Sequence, residues 1–253
     1  MPEQDSTVEL LTGKDSVGKK SKIPARLDLF QSVTGVILSL FIIFHIVFES
    51  SILFGEEAMY RLTKMFEGEP FIEGGEPLII SALAFGIFVI FILHALLAMR
   101  KFPSSYEEYQ RYRTQSKMMK HSDTNLWFIQ ITTGFVMLFF GSIHLYTMMT
   151  QPENIGPYAS SDRIYSDMAW PMYLILLITV VLHTGVGVYR LIIKWGWFDG
   201  SNPRANRIRS KKIIQTVVVV YLVLGLLSLG TYMKIGYDHK DEYGSRYISE
   251  SHK

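Results

Sequence analysis

Charge and apolar character are segregated along this chain. Five runs, roughly 31 to 54, 77 to 99, 126 to 149, 170 to 193 and 213 to 233, carry almost no charge, and the Lys, Arg, Asp and Glu residues gather between them. Each run is long enough to cross about 30 Å of hydrocarbon at ~1.5 Å of rise per helical residue. The expectation is an all-α membrane protein of five transmembrane helices. The first 29 residues are polar and hold neither a short apolar core nor a small-residue cleavage site, so no cleaved signal peptide is expected. The chain divides into an N-terminal arm (1–29), a five-helix transmembrane domain (30–234) and a C-terminal tail (235–253); arm and tail are too short and polar to bury a core of their own.

Sidedness follows from the basic residues. Eighteen of the 25 Lys and Arg lie in the arm (Lys14, Lys19, Lys20, Lys22, Arg26), in the loop from Arg100 to Lys120, or between Arg190 and Lys212. The positive-inside rule therefore places the N-terminus in the cytoplasm and the C-terminus outside. The first outer loop is acidic, with Glu56, Glu57, Glu67, Glu69, Glu73 and Glu76. Local chemistry fits these boundaries: Pro77 suits the first turn of span II, Ser122 or Asp123 the cap of span III, and Ser201 or Asn202 the cap before Pro203 ahead of span V. Trp127, Trp170, Trp195 and Trp197 all fall at span ends, as an interfacial aromatic belt requires. Cysteine is absent, which excludes thiolate-held iron-sulfur clusters, Cys-based zinc sites and covalently attached c-type haem in this chain.

Two stretches about a hundred residues apart share a pattern. QSVTGVILSLFIIFH ends at His45 and QITTGFVMLFFGSIH ends at His144; each reads Gln, two residues, Thr-Gly, nine residues, His. No repeat period runs through the chain, so the match is read as shared site geometry. His45, His94, His144 and His183 lie one on each of the first four spans, and ionisable residues inside a membrane are functional candidates. Spans I and III run outward, which puts His45 and His144 in the outer half; spans II and IV run inward, which puts His94 and His183 in the inner half. Two pairs at two depths, each drawn from two helices, suit two stacked haems with imidazole at both axial positions of each iron. Interhelical hydrogen bonding by the histidines and a metal or proton path are the competing readings. Ten helical residues span about 15 Å, so Gly35 and Gly134 are expected level with the inner pair, where a missing side chain would admit the face or edge of the second macrocycle. His121, His239 and His252 lie in polar segments and read as solvated.

From about Ile23 to Tyr232 the chain closely resembles the dihaem cytochrome b membrane anchor of quinol:fumarate reductases, the branch of the succinate:quinone oxidoreductase family with one large five-helix anchor. The resemblance is carried by FIEGGEP, AMRKFP, LYTMMTQP, IGP and KWGWFDG around the four histidines. It implies a bundle of the first four helices around two b haems, a distal one ligated by His45 and His144 and a proximal one by His94 and His183. It also implies an iron-sulfur subunit and a FAD-containing flavoprotein on the cytoplasmic side, assembly as a dimer of heterotrimers in lipid of the bacterial inner membrane, and no nucleic-acid partner. Menaquinol oxidation is placed by the family near the distal haem, with a proton-accepting glutamate that matches Glu67 in KMFEGEP. Read without the resemblance, Glu67 is one solvated acid among several. Haem propionate contacts carried over are Gln31, Ser32, Trp127 and Lys194 for the proximal haem and Arg163 for the distal one.

One position departs from the pattern. Well-known members carry glutamate two residues before the fourth histidine, on a proton path that accompanies electron transfer; here, in ITVVLHTGVGVYR, it is Val181. Valine has no group to relay a proton. Either another group serves, such as a water chain near Thr179 or Thr184, or electron transfer is uncompensated. The alternatives to a fumarate-reducing anchor are the same anchor in a succinate:menaquinone reductase, a haem-free histidine-lined transporter, and a purely structural anchor.

Overall fold

The computed structural model describes residues 22–103, 105–119 and 122–249, with side chains as far as Thr114 and again from Leu126. The described residues form helices and no strand. Five helical segments are long and apolar enough to cross a membrane: Ile23–Phe54, Leu78–Met99, Leu126–Thr150, Trp170–Trp195 and Pro203–Asp238. This is the five-span, all-α architecture expected from hydropathy. In chain order the helices are α1 (Ile23–Glu49, extended by a 3₁₀ turn Ser50–Phe54), α2 (Glu56–Phe66), α3 (Leu78–Met99), α4 (Tyr106–Met119), α5 (Ser122–Thr150), α6 (Pro157–Tyr165), α7 (Trp170–Trp195) and α8 (Pro203–Asp238).

Two helices reach well beyond their apolar runs. α1 starts at Ile23, with Pro24 in its first turn, inside the stretch read as an arm. Its early turns are polar because they stand in a charged layer: the Asp28 carboxylate pairs with Arg100, with Lys101 at 2.9 Å and with Lys194 at 3.7 Å. α8 starts at Pro203 behind Asn202, whose side chain accepts a hydrogen bond from the Ala205 N–H at 3.2 Å, so the cap expected of Ser201 or Asn202 falls to Asn202. The basic turns from 203 to 212 are helical yet invisible to hydropathy. Pro77 occupies the cap position of α3, one place before its first helical residue. The capping expected of Ser122 or Asp123 lies outside the described side chains, and Lys14, Lys19, Lys20, His121 and His252 lie outside the described residues.

The first four spans pack in a ring, α1 on α3, α3 on α5, α5 on α7 and α7 on α1, with α8 set against α7 and α1. Gly185 of α7 sits under Val218 and Gly225 of α8 under Leu177, the close approach that small residues allow between membrane helices. Ile46, Val180 and Val181 form a core there with Val218, Tyr221 and Leu222 of α8. Large apolar side chains point outward, Phe44 at 70% and Phe139 at 64% exposure among them, as a lipid-facing surface requires.

One end of the bundle carries a cap built from α2, α6 and the tail, around a core of Ile52, Met59, Ile164 and Tyr232. The tail is fastened down: Tyr247 and Ser249 donate to Glu57 at 3.0 and 2.9 Å, and the Gly244 N–H donates to Asp162 at 2.9 Å. His239, expected to be solvated, is instead stacked on Tyr158 at 4.0 Å and hydrogen-bonded to Ser245 at 2.6 Å, because the tail folds back over α6. Burial, together with Glu56 alongside, pushes the Tyr158 phenol up, so it stays protonated and donates to Glu56 at 3.3 Å.

At Gly236, α8 crosses α6 so closely that an added Cβ would lie 2.6 Å from both the Ser161 carbonyl oxygen and the Tyr165 Cβ. Glycine to alanine gains about 1 kcal/mol of helix propensity, whereas overpacking costs about 1–3 kcal/mol. Gly236→Ala is therefore expected to lower the thermal unfolding midpoint of the detergent-solubilised protein; an unchanged or raised midpoint would refute the close crossing.

Candidate functional site

A continuous cavity of about 740 Å³ runs inside the ring of spans, and all four intramembrane histidines line it. Its size falls within the roughly 300–1,000 Å³ of ligand sites. At one end it is lined by Gln31, Ser32, Trp127 and Lys194; at the other by Arg163, Tyr173, Tyr232 and Glu49.

Near the capped end, His45 of α1 and His144 of α5 approach to 6.0 Å between ring centroids, tilted by 50°. Phe41 stacks on His45 at 5.2 Å and Tyr173 meets His144 edge-on at 5.6 Å. The Nδ1 of His144 is buried and has no hydrogen-bond partner among the described residues.

Toward the other end, His94 of α3 and His183 of α7 are each seated on a neighbouring helix by the Thr-Gly step of the shared pattern. A Cβ on Gly35 would lie 3.1 Å from the Cε1 of His94, and one on Gly134 would lie 3.1 Å from the Cε1 of His183. Thr34 Oγ1 lies 3.0 Å from His94 Nδ1, and Thr133 Oγ1 lies 3.2 Å from His183 Nδ1. The two glycines, expected to admit a macrocycle, thus meet an imidazole of the next helix. Each precedes the histidine of its own helix by ten residues, about 15 Å of rise, which sets the separation between the two histidine levels.

The other sequence-predicted residues fall as follows. Lys194 donates to Ser32 Oγ at 3.2 Å and to the Asp28 carbonyl at 3.3 Å, while Trp127 stacks on Tyr112 at 5.8 Å. Arg163 donates to the Asn154 carbonyl and to Ser160 Oγ, each at 3.1 Å, and its Nε is buried without a partner among the described residues. Glu67 does not line the cavity. It is not solvated either: at 3% exposure it accepts from Lys64 at 2.6 Å, and Gly75 packs on its side chain.

Sequence reasoning missed Thr34 and Thr133 as partners of the inner histidines, and it missed Glu49. That carboxylate lines the cavity and accepts from the Tyr232 hydroxyl at 3.1 Å. The signal was present, since Glu49 follows His45 by four residues and so shares its helix face.

Haem, the group the resemblance implies, fits this donor set. Among the described residues no cluster of three His, Cys, Asp or Glu could hold a bare ion, whereas an iron already held by a porphyrin needs only two protein ligands. Arg163 Nε is buried without a described partner, a cationic donor of the kind that a propionate would satisfy.

Comparison with known proteins gives a consistent answer. The chain is 49% identical to the fumarate reductase cytochrome b subunit of Wolinella succinogenes over 94% of its length and 93% of the relative's. The chain belongs to the fumarate reductase cytochrome b family. It is 47% and 46% identical to the subunits of that name from two strains of Helicobacter pylori, again over 94% of its length and 92% of theirs. Residues 107–225 also match the family described as succinate dehydrogenase/fumarate reductase transmembrane subunit. As a member of this family with five apolar helices, it is a multi-pass membrane protein.

Proposed function

We propose that this chain is the dihaem, quinol-oxidising membrane anchor of a quinol:fumarate reductase. The observation that carries the reading is four imidazoles, one from each of four helices, at two levels of a single intramembrane cavity. His45 with His144 holds the distal haem b and His94 with His183 the proximal one. When bound, these groups would supply one-electron redox chemistry, with the protein ligands of each iron drawn from this chain's own histidines. Gln31, Ser32, Trp127 and Lys194 lie at the proximal end and Arg163 at the distal end, where donors and cations suit propionates.

Menaquinol is oxidised at the capped, periplasmic end, and Glu67 accepts a proton there. Supporting this role, Lys64 holds the Glu67 carboxylate in place at 2.6 Å beside the capped end, and the role requires that carboxylate to reach a quinol hydroxyl directly or through one water. The opposite end, with Arg100, Lys101 and Lys194 around Asp28, faces the cytoplasm and receives the iron-sulfur subunit, behind which a FAD flavoprotein reduces fumarate. The complex sits in a bacterial cytoplasmic membrane as a dimer of heterotrimers.

Position 181 shapes the energetics. Val181 is 4% exposed and packed among Ile46, Val180 and α8 side chains, so no proton is relayed there, and electron transfer from the outer quinol site to the inner face moves net charge. One charge moved through 100 mV is worth about 2.3 kcal/mol.

The purified complex is expected to show two low-spin b haems per chain by reduced-minus-oxidised spectrum and pyridine haemochrome; none would leave transport or scaffolding. Glu67→Gln is expected to abolish menaquinol oxidation at full haem content, and unchanged turnover with a menaquinol analogue would rule out the proton-accepting role. In proteoliposomes, quinol-driven fumarate reduction is expected to generate a membrane potential, read with a voltage-sensitive dye; turnover without a voltage change would contradict it.

A further inference from the structure

Resting on the dihaem reading, we infer that Thr34 and Thr133 are positioning residues that fix the tautomer of the inner histidines, keeping Nδ1 protonated and Nε2 free to ligate iron. A threonine hydroxyl has one hydrogen to donate and an oxygen that accepts. Thr34 Oγ1 donates that hydrogen within its own helix, to the Phe30 carbonyl at 2.9 Å or the Gln31 carbonyl at 3.1 Å. What it offers His94 Nδ1 at 3.0 Å is therefore its lone pair, and Nδ1 must carry the hydrogen. Thr133 repeats the arrangement, donating to the Ile129 carbonyl at 2.6 Å or the Gln130 carbonyl at 3.3 Å and accepting from His183 Nδ1 at 3.2 Å.

The other ring nitrogen of His183 lies 3.0 Å from the Gln130 side-chain amide, a contact that iron ligation at Nε2 would displace. The residue after each threonine completes the seat, with Gly35 and Gly134 flush against the Cε1 edge of the ring. Rotating the ring would lose the hydrogen bond and drive a different edge into the helix backbone.

The outer level lacks this device at His144, whose buried Nδ1 has no partner among the described residues. The two haems therefore differ in what lies behind their ligands. A hydrogen bond from Nδ1–H makes the imidazole a more basic ligand, which favours the oxidised iron and lowers the potential of the inner haem relative to the same site without the bond.

The test is a redox titration of both b haems in the intact complex, for wild type, Thr34→Val, Thr133→Val and the two Thr→Ser variants. Each Val variant is expected to raise the midpoint of the same single haem by about tenfold in its redox equilibrium, ~59 mV for one electron. Each Ser variant is expected to keep the wild-type value, and the second haem to stay unmoved throughout. Loss of one haem in a Val variant with retention in the matching Ser variant also supports the inference. Unmoved midpoints in the Val variants, shifts of different haems by the two Val variants, or equal damage by Ser and Val would overturn it. A wild-type complex without two b haems would instead sink the dihaem reading itself.

Discussion

An imidazole N–H inside a bilayer has no water to donate to, and that constraint organises the bundle. Leaving a polar hydrogen unpaired in an apolar medium costs several kcal/mol on transfer scales, roughly 4–8 without any partner. The inner histidines meet it through hydroxyls on the next helix, Thr34 for His94 and Thr133 for His183. Each bond ties one helix pair, α1 to α3 and α5 to α7, at the level of a glycine that lets the ring lie against the backbone. The contacts of α3 with α5 and of α7 with α1 then close the ring around the cavity. α8 needs no such chemistry and packs by small-into-large contacts, Gly185 against Val218 and Gly225 against Leu177.

Much of this could be read from the residues, and the misses share a physical cause. The five spans were legible because a hydrocarbon-facing helix must be apolar on its outside, and side chains such as Phe44 and Phe139 show that demand directly. The starts of α1 and α8 were not, since hydropathy cannot tell a helix that continues into a charged layer from a loop. There the ion pairs of Asp28 and the Asn202 cap decide. The Gln-x-x-Thr-Gly pattern placed its glycines level with His94 and His183 as a matter of rise per residue, but did not show what the glycine faces. Its neighbour in space, His94 for Gly35 and His183 for Gly134, lies on another helix, and one helix does not reveal what another brings to it.

Polar residues outside the spans were the hardest to read. Glu67 and His239 both sit in segments rich in charge, where solvation is the ordinary outcome, yet one is 3% exposed and the other lies between Tyr158 and Ser245. Glu67 is covered by its own loop, where Lys64 and Gly75 close on it, and His239 by the tail folding back on α6. Glu49 was obscured differently: the eye passes over an acid at the end of an apolar run as the start of a loop, although its four-residue spacing from His45 turns it inward.

The fastening of the tail bears on how the molecule is made. Ser249 and Tyr247 close onto Glu57 across 192 and 190 positions of chain, so a clasp on α2 waits for residues made long after it. Until those residues arrive, that end of the bundle lacks its final clasp. Such a closure joins segments that no local interaction could bring together.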